Sequence, residues 1–169
     1  MQYINTGSLF SPCKNYRYSL WRIWDTNQPI VLFIGLNPST ADANYNDPTI
    51  RRCISFAKHW DYGGIYVANL FAWRTPHPSV LKKTPNPIGN KTNYWLAKLN
   101  NDTHLTIACW GNHGNFRHRD KDILTMLPDL HCLRITKKGN PAHPLYLAKT
   151  LLPIPFNPTQ PAGDQKTKI

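Results

Sequence analysis

The chain of 169 residues is long enough for one domain with short extensions and too short for two ordinary ones. Hydrophobic residues make up 41% and charged residues 17%, a globular balance, and no apolar run approaches the ~20 residues of a membrane-crossing helix. Nine Asp and no Glu stand against twenty Lys and Arg, for a formal charge of +11, which excludes HExxH metalloproteases, zinc deaminases with an HxE proton shuttle and any carboxylate pair not built from Asp, and favours a polyanionic partner, nucleic acid first.

In chain order, residues 1–29 open without a basic segment followed by a long apolar one, so no signal peptide is expected and a cytoplasmic location is. Their Tyr16, Tyr18, Leu20, Trp21 and Trp24 predict a β-hairpin or irregular cover for a sheet edge. Four short apolar runs, 30–34, 65–68, 105–110 and 131–135, predict buried strands. After the first run, Asp47 caps a helix whose first turn holds Pro48 and whose stripe is Ile50, Cys53, Ile54, Ala57 and Trp60, before Gly63 and Gly64. Pro76, Pro78, Pro85 and Pro87 predict a stiff loop after the second strand, and further helices are expected over 91–99, over 120–127 and from His143-Pro144 through Leu152. Strand and helix alternate, so the expected fold is α/β: a three-layer α/β/α sandwich around a mainly parallel four-stranded sheet, in a single domain over 1–152. The Pro-rich stretch 153–169 predicts a disordered tail. Cys13, Cys53, Cys109 and Cys132 lack the spacing of a zinc knuckle and are expected to be reduced core residues, with no metal and no cofactor.

Ligands of an open parallel sheet bind beyond the carboxyl ends of the strands. The polar and Gly/Pro-rich segments here fall at those ends: Gly35-Leu36-Asn37-Pro38-Ser39-Thr40, Asn69-Leu70-Phe71, the stretch from Trp110 to Gly114, and the stretch from Lys137 to Tyr146. One crevice should therefore collect Asn37, Asn69, His143 and several basic residues. On residue type alone, Asn37 either positions a water or shapes its loop, Asn69 either reads a ring edge or ties down a turn, and His143 either donates to a ligand or caps a helix.

GLNPS after the first strand resembles the first motif of the uracil-DNA glycosylase superfamily, closest to the G-x-N-P form of its mismatch-specific and thymine-DNA glycosylase branch. VANL resembles the strand that ends in a base-reading Asn, and HPLYLA resembles the last motif. The wider pattern RYSLWRIW, GLNPSTAD, DPTIRR, VANLFAWR, PIGN, WGNHG and NPAHPLYL, over about residues 15–152, resembles DUF1643, a family of small bacterial and phage proteins. The glycosylase resemblance implies a uracil-DNA glycosylase-like fold and a monofunctional DNA N-glycosylase that flips an aberrant or modified pyrimidine out of DNA and hydrolyses its N-glycosidic bond. In that case Asn37 holds the water and a neutral His143 donates to the departing base, while Gly35, Leu36, Asn69 and Tyr45 bind the base. The superfamily often stacks an aromatic residue on the base soon after the first motif, and Tyr45 is the one available here. If the loop from Ser39 to Asp47 stands away, a larger modified pyrimidine fits.

Expected DNA contacts are Ser39, Arg51, Arg74, Arg117, Arg119, Lys137 and Lys138, with Leu145 and Tyr146 after the His-Pro in the place of a wedge. A monomer on single- or double-stranded DNA is expected, in repair, phage defence or phage DNA metabolism. Two further readings stay open. One is a non-catalytic binder of nucleic acid or a modified base in the same pocket. The other is an enzyme of free nucleosides or nucleotides, for which the charge of the chain is needless.

Overall fold

The computed structural model describes residues 2–158. At its centre is β3 (Ile30–Gly35), where β-branched and aromatic residues are buried on both faces. It pairs in parallel with β4 (Gly64–Asn69) on one side and β5 (Leu105–Ala108) on the other, and β6 (His131–Cys132) continues in parallel beside β5. The four expected strands are thus the parallel centre of the sheet.

The sheet itself is larger and mixed. A hairpin of β1 (Asn5–Phe10) and β2 (Arg17–Ile23) pairs antiparallel onto β4, and β7 (Ile154–Pro155) pairs antiparallel onto β6, for seven strands among the described residues, in the order β1-β2-β4-β3-β5-β6-β7. The N-terminal segment therefore extends the sheet as well as covering its edge. Residues 153–158 likewise depart from the expected tail: Phe156 is buried, with its ring edge-on to Trp110, and its N–H donates to Leu130 O. Residues 159–169 lie outside the described part.

Alternate residues of β3 divide the core. Val31 and Phe33 face α1 (Pro48–His59), packed on Ile50, Cys53, Ile54, Phe56 and Ala57. Leu32 and Ile34 face the other layer, which holds Leu81 of α2 (Pro78–Lys83), Leu96 and Leu99 of α3 (Thr92–Asn101) and Ile123 of α4 (Arg119–Met126). Helix α1 begins as its sequence dictates, with Pro48 in the first turn and the Asp47 carboxylate accepting from Ile50 N–H. Helix α2 falls inside the expected stiff loop, because Pro78 also suits a first turn.

Among the described residues no α-helix follows His143. Pro144–Tyr146 form a single 3-10 turn, and Leu147 is already extended (φ −87°, ψ 154°). Nine residues before Pro153 make a marginal helix, and tertiary contacts decide the outcome. Leu147 still reaches the core, and Leu151 O is taken by the Trp60 indole N–H instead of an intrahelical donor. Among the described residues no helix is long and apolar enough to cross a membrane.

Candidate functional site

The chain leaves β3 to build α1 on one face and leaves β5 to build α4 on the other, so the strand ends part between them, the usual place for a ligand crevice. A cavity of about 420 Å³ opens there. Phe33, Val67 and Cys109 lie along its strand wall, and Thr49, Ile50 and Cys53 form its α1 wall.

Six expected site residues meet in it: Gly35, Leu36, Asn37, Ser39, Asn69 and His143. Asn69 ends β4 and is 6% exposed, and its Oδ1 is buried without a hydrogen-bond partner. Gly35 allows this placement, because a Cβ there would stand 2.8 Å from Asn69 Nδ2. Asn37 donates Nδ2 to Thr75 O (2.7 Å) and Pro38 O (3.1 Å), which fixes the amide and leaves Oδ1 as an acceptor. An unpaired buried amide oxygen costs about 1–3 kcal/mol, so a bound donor at Asn69 recovers that amount.

His143 is carried by a loop built like a short hairpin. Ile135 bridges Pro141, Ala142 N–H donates to Arg134 O, and Gly139 takes φ +78° at the tip. Gly111, at φ +69°, donates its N–H to Pro141 O and so joins the turn after β5 to this loop. Arg52, stacked on Phe56, reaches Pro144 O (3.4 Å). The His143 Nδ1 accepts from Leu145 N–H (3.3 Å), which places the proton of the neutral ring on Nε2. His143 is exposed as a residue, yet partial desolvation lowers its pKa from the ordinary 6.5, opposed by the Asp47 carboxylate, so the neutral ring predominates at pH 7.

The other expected contacts are placed differently. The loop after Asn37 is pinned by arginine donors: Arg74 to Ser39 O and Thr40 O, Arg17 to Ala41 O, and Arg22 to Asp42 O, Tyr45 O and Asn46 Oδ1. It turns Tyr45 outward, 53% exposed and away from the cavity wall, so Tyr45 is not a base-stacking residue in this arrangement. Arg51 is exposed at the start of α1 and donates to Asn46 O. Lys137 and Lys138 are exposed on the His143 loop, which Thr136 ties to Asn112 of the cavity wall (2.8 Å).

Arg117 and Arg119 turn to the opposite face. Arg117 donates to Pro85 O and Thr84 O, and Arg119 is 2% exposed, so Arg119 is not a surface phosphate contact. Leu145 is half-buried outside both core clusters, and Tyr146, three residues after His143, is 89% exposed.

Two cavity residues escape a reading of the strand-end segments. Arg17, 3% exposed at the start of β2, comes to the cavity because β2 runs antiparallel to β4 and begins where β4 ends. Burial lowers its pKa to about 10, so it remains a cation. Its signal was a charge inside an aromatic strand. Asp47, read as a cap alone, also lines the cavity; among the described residues the hydrogen bond its carboxylate accepts is the one from Ile50 N–H, to Oδ1. The site thus has the carboxylate that the strand-end motifs lack. Three of the four cysteines are core residues as expected, whereas Cys13 is exposed in the turn between β1 and β2. Cys53 and Cys109 have thiol pKa values raised by burial, Cys109 to about 12, and are protonated, not nucleophilic. Among the described residues no three His, Cys or Asp side chains are grouped to hold a metal ion.

Comparison with curated proteins found no match, and comparison with solved structures found none. One family model matches residues 17–145, from the buried arginine of β2 to the turn after His143; its description is a protein of unknown function. The chain belongs to the DUF1643 family.

Proposed function

We propose that the cavity is the base pocket of a DNA glycosylase-like enzyme, which takes an aberrant or modified pyrimidine flipped out of DNA and hydrolyses its N-glycosidic bond. The observation that carries this is the meeting of Asn37, Asn69 and His143 in one cavity, with Asn69 Oδ1 left without a partner. A parallel four-strand centre with helices on both faces suits a uracil-DNA glycosylase-like sandwich, to which the hairpin and β7 are additions.

In this reading Asn69 Oδ1 accepts the ring N–H, which orients the base. As the sugar–base bond breaks, its electron pair leaves with the base, and His143 Nε2–H donates to the oxygen where that charge collects. Asn37 Oδ1 holds the water, and the other carboxylate oxygen of Asp47 accepts its proton as the new C–O bond forms. The carboxylate also favours the positive charge that develops on the sugar. Tyr146, more than Leu145, has the exposure of a wedge that fills the space left in the duplex.

The test is a panel of duplexes carrying uracil, mismatched thymine, and hydroxymethylated or glucosylated pyrimidines, scored for alkali-labile abasic sites. Release from at least one substrate is expected, and it should be lost in Asn37→Ala. Salt-dependent binding with no base release across the panel would instead favour a non-catalytic reader of the same base.

A further inference from the structure

A second cavity, of about 460 Å³, opens between the tip of the β1–β2 hairpin and the start of α3, with Phe10, Tyr16, Tyr18 and Trp95 along its walls. Tyr16 is fixed in place. Its hydroxyl donates to Asn86 O (2.9 Å), its ring stands edge-on to Trp73 (5.3 Å), and at Gly89, where φ is +84°, a Cβ would come within 2.7 Å of that ring. Phe10, Tyr16 and Trp95 nevertheless stay only half-buried. Rings held rigid and left half-open offer a flat ligand contact area at little entropic cost.

The charge around these rings is of one sign. Lys91 lines the cavity, no Asp is among the described residues that do, and the chain has no Glu. Lys14 and Arg74 lie over the Phe10 ring, 5.9 and 5.5 Å from its centroid. The exposed Arg74 also joins the two cavities: its backbone N–H donates to Asn15 O in the hairpin turn, and its guanidinium to Ser39 O and Thr40 O, of which Ser39 lines the strand-end cavity.

A flat ring tethered to negative charge and free to offer its face describes an unpaired nucleotide, since in a duplex the ring faces are already stacked on one another. We propose that the second cavity stacks a base of single-stranded DNA on Tyr16 and Trp95, with neighbouring phosphates on Arg74, Lys14 and Lys91. That this base flanks the one in the strand-end cavity rests on the base-pocket reading above; the stacking site rests on the second cavity alone.

Fluorescence anisotropy on the full chain, with a labelled thymidine oligomer against an abasic oligomer of the same length and charge, tests this. One stacked base predicts binding of the thymidine oligomer about ten-fold tighter. Trp95→Ala should remove most of that preference, by the same factor in an Asn69→Ala background, and Trp95→Phe should keep part of it. A second readout needs no variant and stands if Trp95→Ala fails to fold. The other three cysteines are buried, so a thiol reagent reads Cys13, which lines the second cavity, and the thymidine oligomer should slow its alkylation several-fold more than the abasic oligomer or a duplex does. Equal affinity for the two oligomers, a preference that depends on Asn69 but not on Trp95, or Cys13 alkylation untouched by the thymidine oligomer overturns the inference. Self-association of the chain that Trp95→Ala abolishes also overturns it, by making the groove a contact between copies. Base release from duplexes without this preference sinks this inference alone, whereas a Trp95-dependent preference without base release from any substrate sinks the glycosylase reading alone.

Discussion

Three arginines are buried, Arg17, Arg22 and Arg119, and Arg17 is used in the opposite way to the other two. On the face of α3 and α4, Arg119 donates Nε to Leu70 O (2.9 Å) and a terminal nitrogen to Asn93 Oδ1, with Asp122 at 3.8 Å. On the α1 face, Arg17 has one carbonyl and an unpaired Nε. Burial lowers both pKa values, and only Arg119 has a carboxylate at ion-pair distance. Arg119 and Arg22 spend their donors on holding the chain together. Arg17 Nε and Asn69 Oδ1 are left unmatched around a cavity, which is what a binding site does when its ligand supplies the remaining partners.

Stability measurements can break that contrast, and the largest effect is expected there. Arg119→Met strands Leu70 O and Asn93 Oδ1 in the interior and should cost about 3 kcal/mol or more, read as a lower urea midpoint at unchanged slope. Arg17→Met removes a buried charge with no carboxylate at ion-pair distance, at the loss of one carbonyl bond, so the two terms offset and stability should stay within about 1 kcal/mol of wild type. If Arg17→Met proves as destabilising as Arg119→Met, Arg17 is a structural clamp on Ala41 and the difference between the two disappears.

Catalytic measurements sharpen the contrast from the cavity side. His143→Ala should slow base release by about 10²–10³-fold, the worth of one donor aimed at developing negative charge, with DNA affinity changed only a few fold. The pH profile gives the sign. Desolvation disfavours imidazolium in the folded chain, so the neutral donor should persist below the ordinary pKa of 6.5, with activity falling only at lower pH. Across the same window the unfolded chain binds the proton more readily, so the contribution of His143 to stability is full above pH 6.5 and declines as pH falls toward the lowered pKa. An activity limb centred at or above pH 6.5 would separate His143 from the chemistry.

The parallel centre of the sheet was legible because its strands are short apolar runs between segments of helical length, and the meeting of Asn37, Asn69 and His143 follows from that order alone. Three features were not legible, each for a physical reason. The last segment carries helix-like apolar spacing at Leu147 and Leu151, but its partners are the α1-side core and the Trp60 indole, and these long-range contacts override local propensity. The stretch from Pro153 looks like a tail because prolines cannot continue a ladder, yet an edge strand tolerates them, and Phe156 anchors it against Trp110. Arg17 and Asp47 were hidden because one sits in an apparent edge segment and the other already has a job as a cap. Register and crossover put them in the cavity, and neither is written in local sequence.

The smallest effect concerns the rim. Lys137 is exposed on the His143 loop, whereas Lys82 and Lys83 are exposed on α2, in the layer that holds Arg119. If DNA approaches the cavity mouth, Lys137→Ala should lower the slope of log affinity against log salt by about 0.9, one phosphate contact, while leaving base release per bound complex unchanged. Arg51→Ala should do the same more weakly, since part of that guanidinium is held by Asn46 O. Alanine at Lys82 and Lys83 should leave the slope alone. The reverse pattern, a slope that responds to Lys82 and Lys83 but not to Lys137 or Arg51, would place the polyanion on the α2 side, where the arginines are already matched. The cavity would then serve a ligand that arrives without DNA, as the free nucleoside reading requires.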